Sequence, residues 1–377
     1  MEDNPVIQDL RKYLNDNPDF KNAFELAFGM GKATGIPEFE EYNINTFDDY
    51  INFYNDLLSW IPSENLSGTN VIYHLCMFYF IIDLPPVKFY QNPIRPGPVP
   101  PFTFLSGWLV SYAKEMGKFL NKPESLNAKS LATFYAAKIY RMDDYEVPSG
   151  GWQNFNQFFA RFLKPGLRPI DGPGDPTIIV SPADSHFDGQ WPVNSNAEVV
   201  IKQIPWPITE LLNGSEYVSN FVGGTFIHSF LAPYNYHRQH SPVSGKVVET
   251  MNIQALCYLQ VDANADANGK LRLKMRRELE APDDAGYQFI QTRGLIVIET
   301  PDIGYVAVLP MGMAQVESVV ITAPPVGQCV EKGEEISYFQ FGGSDIVCVF
   351  EPNVTVTAQV GTPYNYGQQI ATAKLKN

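Results

Sequence analysis

The chain has 377 residues, with 27 Lys and Arg against 41 Asp and Glu, for a net charge of −14. Its 45% hydrophobic and 18% charged content is a globular balance, and its length suits two units or one enlarged one. The acidity excludes a general nucleic-acid binder, which must cluster Lys and Arg against phosphates, and disfavours docking on an anionic membrane face. Cys76, Cys257, Cys329 and Cys348 form no C-x-x-C pair, so a reducing compartment is expected rather than a disulfide frame or a zinc site. The start, MEDNPVIQDL, has no apolar signal region, and the longest apolar run, Val71–Ile82, is too short to span a bilayer. A soluble, cytoplasmic protein is the expectation.

Apolar residues at three- and four-residue spacing predict helices over Val6–Tyr13, Phe20–Phe28 and Phe47–Trp60, the last opened by a capping pair of Thr46 and Asp49. Gln91–Pro101 holds five prolines and reads as a stiff extended loop. Further helices are predicted over Ser106–Leu120 and Ala128–Met142, the latter with Lys138 and Arg141 near its negative pole. Trp152–Leu163 reads as an aromatic amphipathic helix, followed by KPGLRPID. From Ile178 onward short β-branched runs alternate with Pro and Gly, among them EVVIKQI, KVVETMNI, LIVIET, YVAVLP and DIVCVF. The predicted class is α+β: a helical N-terminal domain over 1–145 and an antiparallel β-rich core over 146–377.

Two motifs are set aside. Gly29-Met30-Gly31-Lys32 imitates a phosphate loop but follows a helix rather than a strand, so a plain loop is expected. Asn264-x-Asp266-x-Asn268-Gly269 imitates a calcium loop, yet Met275 stands where a bidentate carboxylate is needed. A hairpin turn at Asn268-Gly269 is expected instead, and no metal site.

Three segments carry chemistry together. Val180–Asp184 (VSPAD) runs a strand into a carboxylate; Phe230–Gly245 (FLAPYNYHRQHSPVSG) places His237 and His240 around Arg238; Lys332–Val347 sets Gly342-Gly343-Ser344 into an apolar strand. Taken singly, each reads more readily as structure: a bulge, a turn serine, a satisfied histidine. Jointly they supply an acid, two imidazoles and a hydroxyl, the parts of an Asp-His-Ser relay. Glycine tolerates strained backbone, so a serine after Gly-Gly, given a histidine base, is placed to attack the bond preceding itself.

The order and wording of FNQFFARFLKPGLRPID (Phe155–Asp171), VSPAD, FLAPYNYHRQHSPVSGKV (Phe230–Val247) and KGEE…FQFGGS resemble the phosphatidylserine decarboxylase family. That resemblance implies a zymogen that cleaves itself between Gly343 and Ser344, with Asp184 orienting His240, His240 as base, and Ser344 becoming a pyruvoyl group. The products would be a β chain ending at Gly343 and an α chain from 344 to 377. Neither PLP nor metal would be needed, because the pyruvoyl carbonyl takes up the substrate amine as a Schiff base and draws off electrons as CO2 leaves. His237 would assist decarboxylation or reprotonation. Asp345 is a departure, since Thr or Ser more usually follows the serine, and a carboxylate there is expected to perturb its neighbours or slow the acyl shift. Ser185-His186 is another, replacing a usual Gly.

The leader pieces IQDLRKYLNDNPDFKNAFELAF and FDDYINFYNDLLSWIP are similar to the helical leader of soluble fungal tryptophan decarboxylases of the same family. They imply a free, aromatic, tryptophan-like L-amino acid as substrate, with phosphatidylserine, giving phosphatidylethanolamine, as the alternative. A bilayer substrate calls for a docking surface, which Val71–Ile82 or the basic strand Leu271–Arg277 would have to provide. Two other classes stay open: an uncleaved, non-catalytic binding relative, and a serine hydrolase, which lacks the strand-turn-helix elbow around Ser344. A homodimer is compatible with the sequence; a nucleic-acid partner is not expected.

Overall fold

The computed structural model describes residues 3–97, 100–266, 269–281, 284–312, 319–341 and 344–376. Helices fill the first third. Pro5–Asp16 starts at Asn4, whose side chain accepts from the Val6 amide, and buries Val6, Ile7, Leu10 and Leu14 at helical spacing. Phe47–Leu57 opens with the expected capping box of Thr46 and Asp49. Asn70–Phe80, within the long apolar run, is a helix buried on nearly every side, and Tyr50 and Tyr54 donate to the Phe78 carbonyl at its end. Phe104–Leu120 begins at the Thr103 cap and packs Trp108 and Tyr112 inward.

Three helical expectations need correction. Pro18–Ala33 runs straight through Gly29–Lys32, so that segment is helix and not loop. A Cβ on Gly31 would stand 2.3 Å from Ile81 Cδ1, which is why a glycine sits at this helix contact. The helix from Ala128 stops at Ala136, because Ala137 leaves helical geometry and Arg141 turns left-handed with φ 48°; the basic pair therefore does not cap a negative pole. Trp152–Leu163 shortens to Phe155–Phe159, which begins at the Asn154 cap. Its continuation is lost because the Phe159 and Ala160 carbonyls accept from Arg161 and Arg238, and Leu163 bridges to Tyr145.

The β half is antiparallel. Its largest sheet has the strand order Cys329–Val330, Gly245–Ile253, Arg293–Thr300, Gly304–Gly312, Ser344–Phe350, Thr225–Leu231, Ser185–Pro192, Pro363–Tyr364. A second, three-stranded sheet orders Val319–Ile321, Glu335–Phe339, Arg238–His240. Gln260–Ala265 and Leu271–Arg276 pair as the hairpin expected around Asn268-Gly269; Gly269 turns at φ 77°, and Asn268 lies outside the described residues. One continuous apolar core joins the helices to one side of the large sheet, while a second core fills its other side. Polar ties cross the junction too: Asp83 accepts from the Tyr258 hydroxyl and the Val261 amide, and buried Glu38 accepts from Arg272.

Candidate active site

Two chain segments cross side by side from the small sheet to the large one. Thr225–Leu231 leaves the large sheet, and its continuation enters Arg238–His240; Glu335–Phe339 leaves the small sheet, and the chain re-enters the large one at Ser344. Ser344 pairs with Leu231 on one side and Gly312 on the other, so the strand it opens is held by ladders along both edges. Gly342 and Gly343, the expected cleavage step, lie outside the described residues.

His237 sits at this crossing. Its carbonyl accepts from the Phe339 amide at 2.9 Å, and its ring stacks on Phe159 at 3.9 Å. Phe159 in turn meets Phe341, the last described residue before the glycines, at 5.5 Å. The imidazole is fully buried, and neither nitrogen meets hydrogen-bond geometry with any described group. Burial, and then the nearby Arg161 guanidinium, push its pKa well below the usual value, outweighing a backbone contact at Asn235, so it is neutral. Arg161 is itself buried and donates to the Tyr234 and Asn235 carbonyls, fixing the turn that leads into His237.

His240 belongs to a different group. It pairs with Glu335, at the far end of the short ladder from Phe339, roughly 10 Å of strand away from His237. Its Nδ1 lies 2.8 Å from the Gly333 carbonyl and its Nε2 3.1 Å from the Tyr236 hydroxyl, and Tyr366 stacks on the ring at 3.7 Å. Burial lowers its pKa to about 4. Asp184 does not touch the imidazole as a relay requires. It accepts from Arg168 Nε and Nη2, the closest contact being 2.5 Å, and from the Tyr366 amide at 2.9 Å. A bidentate guanidinium partner outcompetes an imidazole for a buried carboxylate; Tyr366 links the two groups, bonding Asp184 and stacking on His240. Arg238 donates to Glu335 and the Ala160 carbonyl and lies 3.4 Å over Phe162, a structural clamp between the histidines.

Two cavities meet at Asn121, Asn156 and Gln340. One, of about 440 Å³, is bounded by Lys114 and Lys118 of the helix Phe104–Leu120, by Thr292 and Arg293, and by Phe341. The other, of about 710 Å³, is bounded by Trp152, Arg161, Arg238 and Tyr338. Arg161, Arg168 and Tyr366 escaped the sequence reading. Arg161 and Arg168 lie inside the quoted FFARFLKPGLRPID stretch, whereas nothing in the sequence marks Tyr366.

The family description phosphatidylserine decarboxylase matches residues 155–372, more than half of the chain, including Asp184, His237, His240 and Ser344. The chain belongs to the phosphatidylserine decarboxylase family. That family is one of carboxy-lyases. Among its relatives, phosphatidylserine decarboxylase proenzyme 3 of Schizosaccharomyces pombe is 33% identical over 61% of this chain, which spans only 22% of that protein. The phosphatidylserine decarboxylase proenzyme of Fusobacterium nucleatum is 30% identical over 67% of this chain and 75% of its own length. Decarboxylase iboD of Amanita muscaria is 30% identical over 68% of this chain and 77% of its own length.

The site fits a group made from Ser344. A chain end created at that residue stays in the sheet through ladders on both edges, with a buried imidazole that has no side-chain partner among the described residues at the crossing, and cavities beside it. Among the described residues no group of histidine, cysteine and carboxylate side chains is arranged to hold a metal ion.

Proposed function

We propose that this chain is a self-processing, pyruvoyl-dependent decarboxylase whose first substrate reading is phosphatidylserine. The observation that carries the reaction class is the family match spanning Asp184, His237, His240 and Ser344, with Ser344 opening a strand fixed on both sides. In maturation the Ser344 hydroxyl attacks the Gly343 carbonyl, and the amide becomes an ester. Loss of the Ser344 Cα proton expels the Gly343 carboxylate, and one water then releases ammonia. The resulting pyruvoyl group supplies the electron sink for the carbanion left by CO2.

His237, neutral and with no side-chain partner among the described residues, is the group suited to proton transfer at residue 344 once the chain is cut. His240, Tyr366, Asp184 and Arg168 form the set assigned to cleavage, and Tyr236 must give up the His240 Nε2 for that imidazole to act as base. Phosphatidylserine rests on the names of the relatives, and it displaces the aromatic amino acid as first choice. The free amino acid stays as a second reading because one suggested docking run is core and the other has two of its arginines paired, with only Leu271 and Lys274 of that strand exposed. Val71–Phe80 is core, and in the basic strand Arg272 pairs with Glu38 and Glu41 and Arg276 with Asp262. Residence in a reducing compartment is proposed as well, on the scattered spacing of the four cysteines.

CO2 release from phosphatidylserine vesicles, and from tryptophan, tyrosine, phenylalanine and serine in plain buffer, tests the substrate. Turnover on vesicles supports the first reading. Turnover confined to a free amino acid replaces it with the second, and no turnover on any of them removes both.

A further inference from the structure

The residue after the cleavage serine is an aspartate, and the fold has built something around it. Asp345 is fully buried, with Oδ2 2.9 Å from Nε2 of His228, which is also fully buried. On the other side of the same ring, Nδ1 lies 3.1 Å from Asp188 Oδ2. Three separate strands of the large sheet supply these side chains. His228 stands opposite Val347 and Phe230 opposite Asp345, so imidazole and carboxylate share a face. Asp188 reaches them because the ladder between Ser185–Pro192 and Thr225–Leu231 shifts register between Phe187 and Gly189, and a bulge re-aims the side chain it inserts.

The two nitrogens point apart, so the three side chains cannot chelate one ion. The contacts are at ion-pair distance but off the in-line hydrogen-bond direction, which makes charge rather than directional bonding their main content. Burial works against a charge on His228, but Asp345 and Asp188 outweigh it and push its pKa up to about 10. Burial pushes the Asp345 carboxyl above its ordinary value, and the imidazolium offsets only part of that rise. Arg277, which stacks over Phe230 at 4.4 Å, adds a further positive charge nearby.

We propose that Asp188, His228 and Asp345 form a charge-balancing set that lets an acidic residue follow the cleavage serine, with His228 as a positioning residue acting through Asp345. The proposal rests on the self-processing reading above. Two maturation steps develop negative charge at or beside residue 344: the tetrahedral oxyanion on the attacked Gly343 carbonyl, and the carbanion character at the Ser344 Cα during elimination. An unneutralised carboxylate on the next residue opposes both in a low-dielectric interior. The His228 imidazolium, with the Arg277 guanidinium nearby, reduces that opposition without entering the reaction.

The test is the rate at which purified full-length protein releases the chain 344–377 on a denaturing gel, normalised to material with a native circular-dichroism spectrum. His228→Gln should slow release by roughly tenfold or more, since it leaves Asp345 uncompensated. Adding Asp345→Asn to that variant should restore most of the rate, an outcome that a merely structural His228 would not give. Unchanged release in His228→Gln overturns the proposal, and so does a double variant as slow as the single one. If His228→Gln does not fold, a soluble and cleaved double variant supports the proposal, and an insoluble or uncleaved one overturns it. Wild-type protein that never cleaves removes the self-processing reading and this proposal together. Cleaved wild type with an indifferent His228→Gln removes this proposal alone.

Discussion

Three buried histidines carry opposite electrostatic assignments, and each has a measurable consequence. His237→Ala should leave cleavage intact and lower CO2 release at least about a hundredfold, as expected when a positioned proton-transfer group is lost. His240→Ala should block or slow cleavage; the reverse pattern on gel and CO2 assay would exchange the two roles. The pH dependence of stability separates His240 from His228. With a folded value of about 4, His240 stabilises the fold above its ordinary value near 6.5. That contribution is lost as pH falls below 6.5 toward 4. With a folded value of about 10, His228 contributes fully below about 6.5 and loses its contribution as pH rises through 10. Melting temperatures between pH 7 and 10 should therefore fall in the wild type, with a shallower slope in His228→Gln; equal slopes would contradict the charged assignment. Asp184, His237, His240 and Ser344 were singled out in the sequence because they stand in distinctive local words. Their hydrogen-bond partners were not, since Arg168, Tyr366 and Gly333 reach the site from distant segments.

Secondary elements were legible where local chemistry decides them and misread where tertiary contacts do. Thr46 and Asp49 fix a helix start within four residues, so the capping box was visible in advance. Thr46→Ala should cost about 1 kcal/mol in chemical denaturation without affecting cleavage; no loss would mean the cap is not formed in solution. By contrast, the aromatic periodicity of Trp152–Leu163 predicted three turns where one forms, because Arg161 and Arg238 take the carbonyls that would continue the helix. Ser185–Pro192 escaped detection as a strand: burial alternates along it, but an irregularity in register falls between Phe187 and Gly189, and Asp188 and Gly189 are poor strand formers. That same irregularity delivers Asp188 to His228, so the part of the sheet least readable in sequence is the part that explains Asp345.

At the scale of the whole molecule, the helical first third and the β-rich remainder share one core. Phe134 packs on Phe155 and Phe158, Trp60 meets Phe341, and the helix Phe104–Leu120 forms a wall of the cavity beside Phe341. Expressed alone, residues 146–377 would expose this apolar face, and the expected outcome is aggregation or loss of cooperative unfolding. A soluble, cooperatively melting 146–377 that still cleaves would show that the helices serve only as a cover. The central claim is self-conversion at Gly343-Ser344, and intact mass spectrometry of the purified full-length protein tests it most directly. Wild type should yield two chains, the smaller comprising residues 344–377 with a blocked, borohydride-reducible first residue, while Ser344→Ala should yield one inactive chain. A single uncut wild-type chain that releases CO2 at full rate would contradict the account.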